Sequence, residues 1–98
     1  MSARATVQIY VTGWCPYCVA AKRLLRKKDV PFTEVDVDDR PELRSWLVSA
    51  SGQRTVPQIF INGVSVGGFT DLDELDGEGK LDPMLAEPPT PGMTPLPQ

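Results

Sequence analysis

The sequence predicts an α/β fold in which a mixed four-stranded sheet is flanked by helices, in the order β-α-β-α-β-β-α. Three observations carry this. Residues 6–11, TVQIYV, alternate apolar and polar side chains with the period of two of a strand. From Pro16 onward the apolar residues move to helical spacing. Two short apolar runs then flank Asn62–Gly63, a strong short-range hairpin signal. A strand, a helix and a second strand in succession make a right-handed unit with parallel strands. The hairpin adds two antiparallel strands to the same sheet, and the helices cover it.

Each element has its own signal. In the first strand Val7, Ile9 and Val11 form one set and Thr6, Gln8 and Tyr10 the other. The first helix places Tyr17, Ala20, Ala21, Leu24 and Leu25 on one face and Lys22, Arg23, Arg26 and Lys27 on the other. Proline fits its first turn, and Arg26–Lys27–Lys28 suit a negative helix C-terminus as a solvated face. Phe32, Thr33, Val35 and Val37 mark a second strand within residues 31–37. Asp39 and Glu42 stand at capping-box spacing for a second helix, whose face is Leu43, Trp46, Leu47 and Ala50 and whose end is near Gly52. Strand-end solvation and capping account for the acidic cluster Asp36, Asp38 and Asp39, so no cation site is read there. Residues 57–61 and 64–66 are the hairpin strands. After Gly67–Gly68 a third helix begins, with Thr70 as expected N-cap and Asp73 three positions later. A short helical turn is expected around Leu81–Leu85. From Glu87 the chain reads EPPTPGMTPLPQ, proline-dense with little to bury, so residues 87–98 are expected to be a disordered tail behind one domain spanning 1–86.

Bulk properties narrow the function. The 98 residues suffice for one domain with a modest core. A net charge of −3 gives no basic footprint for nucleic acid, and the longest apolar runs fall far short of a membrane span. The N-terminal residues show no secretion signal, so the expected compartment is the cytoplasm, where structural disulfides are rare. The chain has two cysteines and no histidine, which removes imidazole bases and His-based metal sites. One C-x-x-C pair cannot complete a tetrahedral zinc site within a single chain, and a Cys15–Cys18 bridge closes too short a loop to stabilise much. A redox pair is what remains. Cys15 falls at a helix start, where unpaired N–H groups and the dipole favour an anion, and Cys18 lies one turn on, within reach of it. Cys15 is therefore the expected nucleophile and Cys18 the resolving thiol. Tyr17 either shields this site or simply packs on its helix. C-x-x-C joined to a β-α-β pattern is a strong redox signal.

Three stretches in order now resemble the glutaredoxins, of thioredoxin-like fold: Cys15-Pro16-Tyr17-Cys18, Arg54-Thr55-Val56-Pro57, and Gly67-Gly68 followed by Phe69-Thr70-Asp71. The resemblance covers about residues 6–86. It implies a cis peptide bond before Pro57 facing the reactive sulfur. It further implies that the backbone of Val56 pairs with extended glutathione, and that Gly68, Thr70 and Asp71 receive its γ-glutamyl end. Tyr17, Arg54 and Thr55 complete the implied glutathione-binding set, with Arg54 toward the glycyl carboxylate. One departure is Thr12, where many glutaredoxins carry a lysine that helps bind a carboxylate.

The expected activity is glutathione-dependent reduction of protein disulfides and glutathione mixed disulfides through Cys15 and Cys18. Glutathione is the reducing substrate, and no tightly bound cofactor or metal is expected. Partners are glutathione and disulfide-containing or glutathionylated proteins, with no nucleic acid or membrane, and the expected state is a monomer. A small redoxin reduced by a flavoprotein or another low-molecular-weight thiol is the alternative that Thr12 supports and that Gly67–Gly68, Thr70 and Asp71 oppose. A glutathione-ligated [2Fe-2S] carrier is the alternative of another class, which the rigid Pro16 disfavours.

Overall fold

The first strand organises the molecule. In a computed structural model, residues 5–89, 92 and 95–98 are described. The elements are β1 (Val7–Val11), α1 (Pro16–Lys27), β2 (Thr33–Asp36), α2 (Pro41–Ser51), β3 (Gln58–Ile61), β4 (Val64–Gly67), α3 (Phe69–Gly77) and α4 (Leu81–Ala86). The sheet order is β2-β1-β3-β4. β1 runs parallel to β2 and antiparallel to β3, with Ile9 opposite Glu34 on one side and Ile59 on the other. The mixed sheet predicted from the sequence is the one observed.

All five residues of β1 are buried. The alternation in this strand therefore sorts side chains between two cores, not between core and solvent, because helices cover both faces of the sheet. Val7, Ile9 and Val11 join Ala21, Leu25, Ile59, Leu72, Leu81 and Leu85 in the larger core. Tyr10 joins Val35, Val37, Leu43, Leu47 and Phe60 beneath α2. There Tyr10 meets Phe60 edge-on at 5.5 Å, and Trp46 stacks on Phe60 at 5.7 Å, ring geometries that add to area burial. Each fully buried aliphatic side chain contributes about 1.5–3 kcal/mol.

The turns follow their residue chemistry, with two corrections. Asn62 and Gly63 both take positive φ, 51° and 79°, as a two-residue hairpin turn requires. The Asn62 side chain also accepts from the Thr6 N–H at 2.8 Å and donates to the Glu87 carbonyl at 2.9 Å. The capping box expected from Asp39 and Glu42 does not form. Pro41 occupies the start of α2, so Arg40 is the N-cap and makes no side-chain cap bond. The N-cap expected at Thr70 lies instead at Gly68, because α3 already starts at Phe69. Asp71 is then the third helical residue, and its carboxylate reaches back to accept from the Gly68 N–H at 3.0 Å. At the far end of α1, Lys28 is not simply solvated. Its ammonium pairs with Asp76 of α3 at 2.5 Å and Asp82 of α4 at 3.0 Å.

In the region expected to be a disordered tail, residues 90, 91, 93 and 94 lie outside the described residues. Its described end touches the α2 face. Leu96 packs against the Tyr10–Phe60 core, the Tyr10 hydroxyl donates to the Pro97 carbonyl at 2.5 Å, and Arg40 donates to the Gln98 carbonyl at 2.7 Å.

Candidate active site

Cys15 is the N-cap of α1, in extended backbone with φ −151° and ψ 112°. Pro16 follows within the first turn, where a missing N–H breaks no helical bond. The Cys15 sulfur accepts from the backbone N–H of Cys18 at 3.2 Å, the role a serine or aspartate oxygen plays at other helix starts. Its thiol donates to the Val56 carbonyl at 3.7 Å. The Val56–Pro57 bond is cis, as the resemblance implies.

Both cysteines are free thiols, in unequal surroundings. Cys15 is half-buried, whereas Cys18 is only 2% exposed and belongs to the larger core. Burial pushes the Cys18 thiol up to about 12; its hydrogen bond with Cys15 adds to this, and a backbone hydrogen bond from Thr12 opposes it. The thiolate is the nucleophile in disulfide exchange. The geometry therefore presents Cys15 to an incoming sulfur and holds Cys18 protonated one turn behind.

Beside Cys15 lies a groove of about 260 Å³ lined by Tyr17, Gln53, Thr55, Val56, Pro57, Gly68, Phe69, Thr70 and Asp71. Seven of the ten residues expected at the site are thus brought together along it, next to the two cysteines. The exception is Arg54, which is exposed and borders a separate concavity on α2 with Arg44, Ser45 and Val48. A larger concavity of about 500 Å³, bordered by Arg40, Trp46 and Pro97 among others, lies on the α2 face and holds neither thiol. Thr70 and Asp71 sit in the first turn of α3, where backbone N–H groups fall outside the intrahelical ladder. Tyr17 is 63% exposed and tilts against Phe69 with ring centroids 6.4 Å apart.

Sequence reasoning missed Gln53 and Phe69 as lining residues. The signal for Phe69 is its place directly after Gly67–Gly68, which carries the chain from β4 into α3; Gln53 has no local signal. Gln58 was also missed. It is fully buried in β3, and its amide N–H groups donate to Gln53 Oε1 and to the Thr55 carbonyl, both at 2.9 Å. It thereby braces the loop that forms one wall. Among the described residues, no group of three or more His, Cys, Asp or Glu could hold a metal ion, and no helix is long and apolar enough to cross a membrane.

The family model for glutaredoxins matches residues 7–66. The chain belongs to the glutaredoxin family. It is 51% identical over 80 residues to a glutaredoxin of Pseudomonas aeruginosa, covering 82% of this chain and 95% of that one. It is 47% identical over 81 residues to glutaredoxin 3 of Escherichia coli, covering 83% and 98%. Among solved structures, it resembles a glutaredoxin from Brucella melitensis with TM-score 0.77 and 48% identity, over 86% of this chain and 91% of that one. A buckwheat glutaredoxin–glutathione complex matches with TM-score 0.78 and 30% identity, over 83% and 76%. The fold of this glutaredoxin is thus thioredoxin-like, and its family activity is thiol–disulfide exchange.

Proposed function

We propose that this glutaredoxin reduces protein disulfides and glutathione mixed disulfides at the expense of glutathione. The observation that carries the reading is the groove itself, which is lined from Val56, whose carbonyl accepts from the Cys15 thiol, to the first turn of α3. An extended peptide thiol has main-chain partners at one end of it and helix N–H groups for a carboxylate at the other. In this reading Val56 pairs with the glutathione backbone, while Thr70 and Asp71 take the γ-glutamyl end. Gly68 admits the close approach, and Tyr17, Thr55 and Pro57 form the walls. Arg54 is exposed one residue from Thr55 and supplies a charge for the glycyl carboxylate. The buckwheat relative was solved with glutathione, which adds support for the same ligand.

The chemistry runs in two branches. The Cys15 thiolate attacks the glutathionyl sulfur of a mixed disulfide; a Cys15–glutathione bond forms, and the protein sulfur leaves with the electron pair and takes a proton. A second glutathione then attacks that bond, releasing oxidised glutathione and restoring Cys15. On a protein disulfide, Cys15 attacks first and Cys18 then displaces the product, leaving an internal disulfide for glutathione to reduce. No tightly bound cofactor takes part, and the proposed working state is a cytoplasmic monomer.

The test is glutathione-coupled reduction of a small glutathione mixed disulfide by wild type, Cys15→Ser and Cys18→Ser. The expected result is no turnover without Cys15 and substantial turnover without Cys18. A dead Cys18→Ser protein would overturn the first branch. Inactivity of wild type with glutathione, alongside turnover with a flavoprotein reductase, would replace glutathione as the reductant.

A further inference from the structure

Gln58 keeps an unpaired atom in the interior of the molecule. It is fully buried in β3, and among the described residues its Oε1 is the buried side-chain oxygen or nitrogen left without a hydrogen-bond partner. Such an orphan is destabilising, and an apolar side chain of similar size would avoid it. The other end of the amide meets the groove wall. Its Nε2 donates to the Thr55 carbonyl and to Gln53 Oε1, both at 2.9 Å, and Gln53 and Thr55 both line the groove. A main-chain carbonyl can only accept. The Gln58 atom beside Thr55 is therefore its nitrogen, and the Gln53 atom meeting that nitrogen is an oxygen. The Gln53 backbone is held separately, its N–H donating to Ser51 Oγ at 3.1 Å at the end of α2. Gln58 thus decides which end of the exposed Gln53 amide is committed to the protein, and the N–H groups are the end left for a ligand.

We propose that Gln58 is a positioning residue for glutathione: it locks Gln53 and Thr55 into one wall of the groove and leaves the Gln53 N–H groups to an acceptor oxygen of the bound peptide thiol. This rests on the reading that glutathione fills the groove. Carboxylate and peptide oxygens only accept, so a wall that offers N–H groups attracts them and one that offers Oε1 repels them. The hydrogen bonds of Gln58 go to the wall and to neither sulfur, so it acts on binding and not on exchange at Cys15. The unpaired Oε1 is then stability given up for a wall shaped to a ligand.

Steady-state reduction of a peptide–glutathione mixed disulfide by full-chain variants, with urea midpoints measured alongside, tests this. Gln58→Met keeps the volume and loses the donor. It is expected to raise KM for the mixed disulfide about fivefold, the loss of roughly one hydrogen bond, with kcat retained and a midpoint no lower than wild type. Gln53→Glu keeps an oxygen for Gln58 but removes the N–H groups, and is expected to raise KM at least as much. Gln53→Ala cuts the same bond from the other side, is expected to raise KM in the same way, and carries the test alone if Gln58→Met fails to fold. The Gln53→Ala, Gln58→Met double variant is expected to raise KM by much less than the product of the two singles, because both act through one amide. An unchanged KM in Gln58→Met, a midpoint that falls as KM rises, equal losses in kcat and kcat/KM, a wild-type KM in Gln53→Glu, or a multiplicative double variant would overturn the proposal. A wild type that reduces a mixed disulfide of cysteamine as readily as one of glutathione would instead overturn the reading that glutathione fills the groove.

Discussion

Two sulfurs of identical chemistry behave differently because one caps a helix and the other sits in the core. Burial raises the Cys18 thiol from its ordinary 9.0 to about 12, so the folded state holds that proton more tightly than the unfolded chain does. The resulting stability is fully present below pH 9 and is lost as pH rises toward the folded value. Burial moves Tyr10 in the same direction, from 10.0 to about 12. The reduced protein is therefore expected to lose stability progressively above pH 9, measured as urea midpoints at pH 7, 9 and 10. In Cys18→Ala the loss between pH 9 and 10 should shrink, leaving the later contribution of Tyr10. Parallel pH profiles for the two proteins would contradict this account. The cysteine pair was legible in the sequence because C-x-x-C at a helix start fixes the local relation of both sulfurs. The bond between Asp38 and Gly13 was not, since it spans 25 positions and an acidic residue at a strand end reads equally well as solvated.

At the level of elements, the groove depends on how β4 turns into α3. Gly67 has φ +111°, a conformation side-chain-bearing residues rarely adopt, and a Cβ there would run into the Asp71 carboxylate. Substitution Gly67→Ala would therefore force Asp71 away from the Gly68 N–H and move the first turn of α3. The expected cost is about 1–3 kcal/mol of stability, read from chemical denaturation, with a raised KM for glutathione-containing substrates. An unchanged denaturation midpoint and KM would show that this turn tolerates a side chain. The hairpin was legible because Asn-Gly specifies positive φ locally. The starts of α2 and α3 were misread by one or two positions because Pro41 and Gly67–Gly68 moved the caps away from the polar residues that signal them. The groove lining, including Gln53 and Phe69, could not be read locally, because it arises where separate loops pack together.

Across the whole molecule, the sheet separates a reactive face carrying both cysteines from an aromatic face beneath α2, and the chain end leans on the second. The strand order was legible, since handedness of the first three elements and the hairpin leave few arrangements. Contacts at Leu96 and Pro97 were not, because a proline-rich segment too poor in apolar residues for its own core can still rest on a core built elsewhere. Removing residues 95–98 exposes part of the Tyr10–Trp46–Phe60 cluster and deletes the Tyr10–Pro97 hydrogen bond. The expected loss is about 1–2 kcal/mol, from one hydrogen bond and a partly buried leucine. Tyr10→Phe, which deletes only the hydroxyl, should lose less. Trp14 is already 84% exposed, so a red shift of tryptophan emission on truncation would report Trp46 meeting water. Disulfide reduction at Cys15 should persist, because the groove lies away from these contacts. A truncated protein with the wild-type midpoint and emission would show that the chain end contributes nothing to this face.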